Sequence, residues 1–145
     1  MPTILEELRT AMRVWASGVT VVTAAHEGQR HGMTVNSFTS VSLEPAMIAV
    51  SLQTGSRTHE LVLQSRAFGL TILSAQQEKI SDLFAGRMEV SDRFADLQIE
   101  TLVTGSPLIA GGLAWLDCRV AQTFDAGTNT LVIAEVAAAR SLSQD

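Results

Sequence analysis

Between His31 and His59 the chain carries Thr34, Asn36, Ser37, Thr39, Ser51, Gln53, Ser56 and Thr58, with Arg57 beside them. These hydroxyls and amides sit among strand-like apolar residues. Neutral donors and acceptors at that density complement a flat, polar ligand, and a neighbouring guanidinium complements a phosphate. A strand needing only solubility would more often display Lys and Glu. Ser51, Leu52 and Gln53 end a strand-like run just before Thr54-Gly55-Ser56 and a helix whose first amides can receive an anion. Ring and phosphate contacts would then share one continuous surface, with Ser56 and Arg57 as the phosphate partners.

Other chemistries lack their residues. No GxGxxG follows a strand and no GxxxxGK[ST] occurs, so neither a Rossmann cradle nor a P-loop is expected. No GxSxG elbow is present. His26, His31 and His59 lack metal-ligand spacing, and Cys118 is the sole cysteine, so no metal site and no disulfide are expected. Cys118 reads as a buried structural thiol, and His59 as a helix-surface histidine. With a net charge of −5, a single lysine, Lys79, and no tyrosine, the chain has neither the basic cluster nor the stacking platform that nucleic acid requires. No apolar run reaches the roughly 18 residues of a membrane span. The N-terminus MPTILEELRTAMRVW lacks signal-peptide organisation, so a cytoplasmic location is expected. The 145 residues suit one domain, 1–145, and the 46% apolar content, with mean hydropathy +0.23, leaves an excess for a subunit interface.

The elements that must position these residues follow from periodicity. Ile4, Leu5, Leu8, Met12 and Trp15 recur at helical spacing, predicting a helix over 3–16 that ends near Gly18. Trp15 and Trp115 are assigned to core or dimer packing. Strands are predicted over 19–25, 33–43, 46–53, 68–73, 113–124 and 130–138, with turns at Glu27-Gly28, Glu44-Pro45 and Asp125 to Asn129. Ser56 caps a predicted helix over 57–65, and Ser74 one over 76–85 with Ile80, Leu83 and Phe84 on one face. Residues 88–104 read as a short helix and a weak strand. Strands in consecutive pairs predict a mainly β fold: an antiparallel, six-stranded, closed or nearly closed barrel of Greek-key type with peripheral helices.

Six collinear segments carry a resemblance: Gly18-Val-Thr-Val-Val-Thr23, His31-Gly-Met-Thr-Val-Asn-Ser-Phe-Thr-Ser-Val-Ser42, Ser56-Arg-Thr-His59, Phe84-Ala-Gly-Arg87, Asp92-Arg-Phe94 and Leu113-Ala-Trp-Leu-Asp-Cys118. Together, over nearly the whole chain, they resemble the short-chain flavin reductase family. The resemblance implies a flavin-binding split β-barrel, a homodimer with flavin (FMN or FAD) near the subunit interface, and flavin reduction by NADH or NADPH. It also implies delivery of reduced flavin to a partner monooxygenase. Asn36 and Ser37 are candidates for the ring's pyrimidine edge. The flavin candidates as a set are Thr34, Asn36, Ser37, Thr39, Ser51, Leu52, Gln53, Ser56, Arg57, Phe84 and Arg87. Core packing is the alternative for Phe84, and ordinary strand preference for Thr34 and Thr39. Hydride transfer needs alignment rather than an acid or base, so no catalytic side chain is required.

Two departures stand against the family pattern. In its DAGDHT-like turn a histidine faces the flavin and nicotinamide region; here the turn is Asp125-Ala-Gly-Thr-Asn-Thr130, with Asn129 in that place. Asparagine keeps hydrogen bonding but takes no positive charge, so weakened NAD(P)H use with flavin binding retained is expected. The family also continues past the last strand with an apolar, aromatic and basic segment where this chain has Ser141-Leu-Ser-Gln-Asp145. A truncated chain or a missing wall of the site is expected there. Two other classes stay open: a flavin carrier or redox-sensing dimer, and a related split-barrel oxidase or haem protein.

Overall fold

The computed structural model describes residues 1–142, so the last three residues of the terminal segment discussed above lie outside it. The chain forms α1 (Ile4–Met12), β1 (Thr20–His26), β2 (Gln29–Val35), β3 (Thr39–Leu43), β4 (Ala46–Gln53), α2 (Arg57–Ser65), β5 (Ala67–Ile72), α3 (Glu78–Phe84), β6 (Ile99–Glu100), β7 (Leu108–Ile109), β8 (Ala114–Ala126) and β9 (Asn129–Ser141). Seven strands make one antiparallel sheet in the order β2-β1-β5-β8-β9-β4-β3, and β6 pairs with β7 separately. The class is therefore mainly β and antiparallel, with three helices, but the sheet does not close and the six-strand count is wrong.

The extra strand comes from the predicted run 33–43, which breaks at Asn36-Ser37-Phe38. The Ser37 hydroxyl donates to Ser51 O and accepts from Ser51 N, both at 3.0 Å, replacing ladder bonds with side-chain ones. Consecutive strands β2 and β3 thus become opposite edges of the sheet. Three linking residues reach only about 10–14 Å between the strand ends, so the sheet must curl until its edges face across that crossover.

Two hairpins have the turns their strand twist demands. Glu27 and Gly28 both take positive φ between β1 and β2, as a type I′ turn requires, and Gly127 takes φ +63 at the first turn position between β8 and β9. The second turn is shorter than the predicted Asp125 to Asn129 loop because the strands run on to Ala126 and from Asn129.

Alternation on β1 puts Val22 and Ala24 in the main core and Val21 in a smaller one, all fully buried. The main core packs Val50, Leu52, Phe68, Leu70 and Val132 against Leu61 and Val62 of α2. Ser56 caps α2 by accepting from His59 N. The smaller core holds Phe84 edge-on to Phe94, their centroids 5.1 Å apart. No helix forms in 88–98: the Asp92 carboxylate receives Phe94 N at 3.0 Å, and Arg93 donates to Gly32 O and Phe84 O, bonds that favour turns.

Buried polar groups are paired. Asp117 accepts from Val103 N, Thr104 N and the Thr104 hydroxyl, fixing the loop before β7. The buried Trp115 donates to Ile109 O. Cys118 is fully buried, and burial, with the neighbouring Asp117 charge, pushes its thiol up to about 12. By contrast α1, shorter than predicted and closed by a Thr3–Glu6 capping box, buries nothing against the rest of the chain, and Trp15 is 57% exposed. Among the described residues no helix is long and apolar enough to cross a membrane.

Candidate functional site

A cleft of about 690 Å³ opens where the curled sheet's edges meet. One side comes from the end of β2 and the crossover, with Met33, Thr34, Asn36 and Ser37; another from the end of β4, with Ser51 and Gln53. The β8–β9 turn and the start of β9 add Thr128 and Asn129, and α3 with the residues just past its end adds Ser81, Ala85 and Arg87. Among the described residues no carboxylate lines the cleft, and Arg87 is the one cationic side chain that does.

The hydrogen bonds fix some of these groups and leave others available. Asn129 donates through Nδ2 to Ser51 Oγ at 2.9 Å, joining the hairpin turn to β4. Thr34 donates to Ser81 O at 2.6 Å, holding α3 against β2. Asn36 and Gln53 are exposed, and among the described residues their amides make no hydrogen bond to protein, so both can serve a ligand's donors and acceptors. Arg87 is exposed and pairs with Asp82 at 2.9 Å.

Of the residues singled out from sequence, the structure brings Thr34, Asn36, Ser37, Ser51, Gln53, Arg87 and Asn129 to this cleft. Five others lie elsewhere. Leu52 is fully buried in the core, because strand alternation sends it to the face opposite Ser51 and Gln53. Phe84, 1% exposed, packs on Phe94 and against Gly32, so it is core. Thr39 lies exposed on edge strand β3, opposite Ala49. Ser56 caps α2 and sits 3.8 Å from the Sδ of Met33, one side chain back from the cleft. Arg57 is paired with Glu60 at 3.3 Å on the outer side of α2.

Two histidines bear on the rim. The helix-surface assignment of His59 is wrong: it is 7% exposed and hydrogen-bonded through both ring nitrogens, to Gly55 N and to Thr130 Oγ1. The half-buried His31 lies 2.8 Å from the Thr58 hydroxyl, and its pKa is lowered by burial and then by the charges of Arg93 and Arg57. Sequence reasoning missed Ser81 and Ala85, whose one-turn spacing faces the cleft but whose small side chains carry no chemical signal. Among the described residues no group of His, Cys, Asp and Glu could hold a metal ion.

A flavin fits this set of donors. The ring's pyrimidine edge needs neutral partners of both senses, which Asn36 and Gln53 offer, and a phosphate needs a cation such as Arg87.

Known proteins resemble this chain in sequence and in fold. The chain is 40% identical over 131 residues to the NADH-dependent flavin reductase StyB of Pseudomonas fluorescens, covering 90% of this chain and 75% of that one. It is 36% identical to the reductase component of a 4-nitrophenol 4-monooxygenase/4-nitrocatechol 2-monooxygenase of Rhodococcus opacus, covering 93% and 71%. Longer relatives from Rhizobium meliloti and Acinetobacter baylyi extend beyond it, and the chain spans 42% of each. The Streptomyces globisporus NADH:FAD oxidoreductase SgcE6, solved with NAD and FAD fragments, superposes with a TM-score of 0.88 at 32% identity, covering 97% of this chain and 84% of that one. Residues 12–145 match the family described as flavin reductase like domain. On the family match and these relatives together, the chain belongs to the flavin reductase-like family.

Proposed function

We propose that this chain binds a flavin, FMN or FAD, in the cleft and reduces it with NADH, releasing reduced flavin to a monooxygenase partner. The observation that carries this is the cleft itself: free neutral amides, several hydroxyls and one guanidinium, with no carboxylate on its walls among the described residues. The flavin supplies the hydride acceptor, and the chain supplies alignment. Asn36 and Gln53 hold the ring edge, Ser37, Ser51 and Asn129 fix the spacing of the walls, and Arg87 holds phosphate. Arg57, Ser56 and the backbone of Leu52 are proposed as outer phosphate contacts. Of the remaining candidates, Thr34 holds the α3 wall, Phe84 backs it from the core, and Thr39 borders the crossover from β3.

The curled sheet is proposed as the family's split barrel and residues 1–145 as one domain. The unpartnered apolar face of α1, with Leu5, Leu8, Met12 and Trp15 exposed, supports a homodimer. A cytoplasmic setting is proposed, in keeping with the absence of any membrane-crossing helix among the described residues.

Air-free addition of NADH, then NADPH, to protein with FMN tests the reading through bleaching of the flavin absorbance. Rapid catalytic bleaching establishes the reductase. Tight binding without bleaching favours a carrier, the reading that Asn129 supports. Asn129→His is expected to raise NADH oxidation; an unchanged rate removes that position from nicotinamide chemistry.

A further inference from the structure

One buried side chain joins two segments that are far apart in sequence. His59, in the first turn of α2, takes the Gly55 amide on Nδ1 at 3.2 Å and sets Nε2 3.0 Å from Thr130 Oγ1. Thr130 Oγ1 lies 2.8 Å from Thr54 Oγ1. An amide N–H can only donate, so Nδ1 carries the lone pair and the imidazole proton sits on Nε2, donated to Thr130. The Thr130 proton is then available to Thr54. Backbone reinforces the link, since Thr54 N donates to Thr128 O at 3.1 Å. The residues flanking this chain of bonds line the cleft: Gln53 at the end of β4, its register partner Asn129 at the start of β9, and Thr128 in the turn before it. The imidazole itself does not, and hydride transfer has no use for it.

We propose that His59 is a positioning residue: its neutral, Nε2-protonated ring locks the Thr54–Ser56 turn to the start of β9 and so fixes the entry of α2, with the proposed phosphate contacts Ser56 and Arg57, against the paired Gln53 and Asn129 of the flavin cleft. The inference rests on the flavin reading of that cleft.

Two isosteric halves of the ring test it in the full-length protein. His59→Gln keeps a donor where Nε2 sits and so keeps the bond to Thr130. His59→Asn keeps an acceptor where Nδ1 sits and loses that bond. Thr130→Val removes the same bond from the other side without touching α2, which keeps the test sound if a His59 variant folds poorly. With FMN affinity read by quenching of flavin fluorescence, His59→Gln should bind within about twofold of wild type, while His59→Asn and Thr130→Val each weaken binding about three- to tenfold. Their double variant should lose no more than either alone, because both remove one link. Nitrogen-15 spectra of the imidazole should show Nε2 protonated and Nδ1 bare. Equal affinities for the Gln and Asn variants, an additive double variant, or a proton on Nδ1 overturns the proposal. Wild-type protein that binds no FMN overturns the flavin reading instead, and the nitrogen spectrum still reports on the link.

Discussion

Arg87 and Arg57 show how much of the site is visible in single residues. Arg57 was the candidate for the flavin phosphate and Arg87 a candidate for flavin contact, yet only Arg87 lines the cleft, while Arg57 pairs with Glu60. Arg87→Ala should weaken FMN binding by about 1.5–3 kcal/mol, the worth of a charge-assisted hydrogen bond. Arg57→Ala should cost less, since Arg57 lies off the cleft lining; recruitment breaks an exposed ion pair in either case, Arg87 with Asp82 or Arg57 with Glu60. Titration of both variants checks the order, and equal losses would put both guanidinia on the phosphate. His31 gives a second prediction. Its folded pKa is lowered from 6.5, so between the lowered value and 6.5 the unfolded chain binds a proton that the folded chain refuses. Stability should therefore rise with pH across that window, be complete above 6.5 and fall away below it. Urea midpoints from about pH 5 to about pH 8 should show a steeper slope for wild type than for His31→Gln. The polar run from Thr34 to Gln53 was legible because hydroxyls and amides in a strand context announce recognition. The Leu52 side chain turns away from the cleft because a strand offers only alternate residues to one side, which a run of neighbours taken whole does not show.

The elements that hold the site depend on places where a side chain is missing. A Cβ on Gly32 would lie 2.9 Å from two ring atoms of Phe84 and 3.1 Å from Thr23 Cγ2. Gly32→Ala should destabilise the fold by about 1–3 kcal/mol, and it should also shift α3, which carries Ser81 and Ala85 into the cleft. Thermal melts together with FMN titration check this; a lowered melting temperature with unchanged affinity would show α3 free to move without consequence for the ligand. Helix α2 was legible to its ends, because Ser56 is a strong cap and the apolar spacing is regular. Helix α3 begins later than its signal, since the Gln77 side chain accepts Ser74 N and holds those residues in a turn. The 88–98 segment was illegible as turns, because its shape comes from Asp92, Arg93 and Phe94 bonding to partners that periodicity does not report.

At the scale of the molecule, consecutive strand pairs in the sequence announce an antiparallel sheet. The placement of β2 and β3 at its opposite edges goes with Ser37 meeting Ser51, a contact between the crossover and β4 that no local pattern encodes. The same limit applies to assembly, where α1 presents its apolar face outward and Trp15 is left to core or dimer packing by sequence alone. Leu8→Glu combined with Trp15→Glu should leave the circular dichroism of the fold intact and shift sedimentation from dimer to monomer; an unchanged dimer would place the interface elsewhere. The buried Cys118 has a further bearing on an enzyme of this kind. Reduced flavin that meets oxygen yields hydrogen peroxide, so the chain works beside a source of oxidant. Peroxide attacks thiolate, and a thiol held at about 12 is ionised in roughly one molecule in 10⁵ at neutral pH. The sole cysteine is thus spared by both burial and protonation, whereas the thioether of Met33 stands on the wall of the cleft itself.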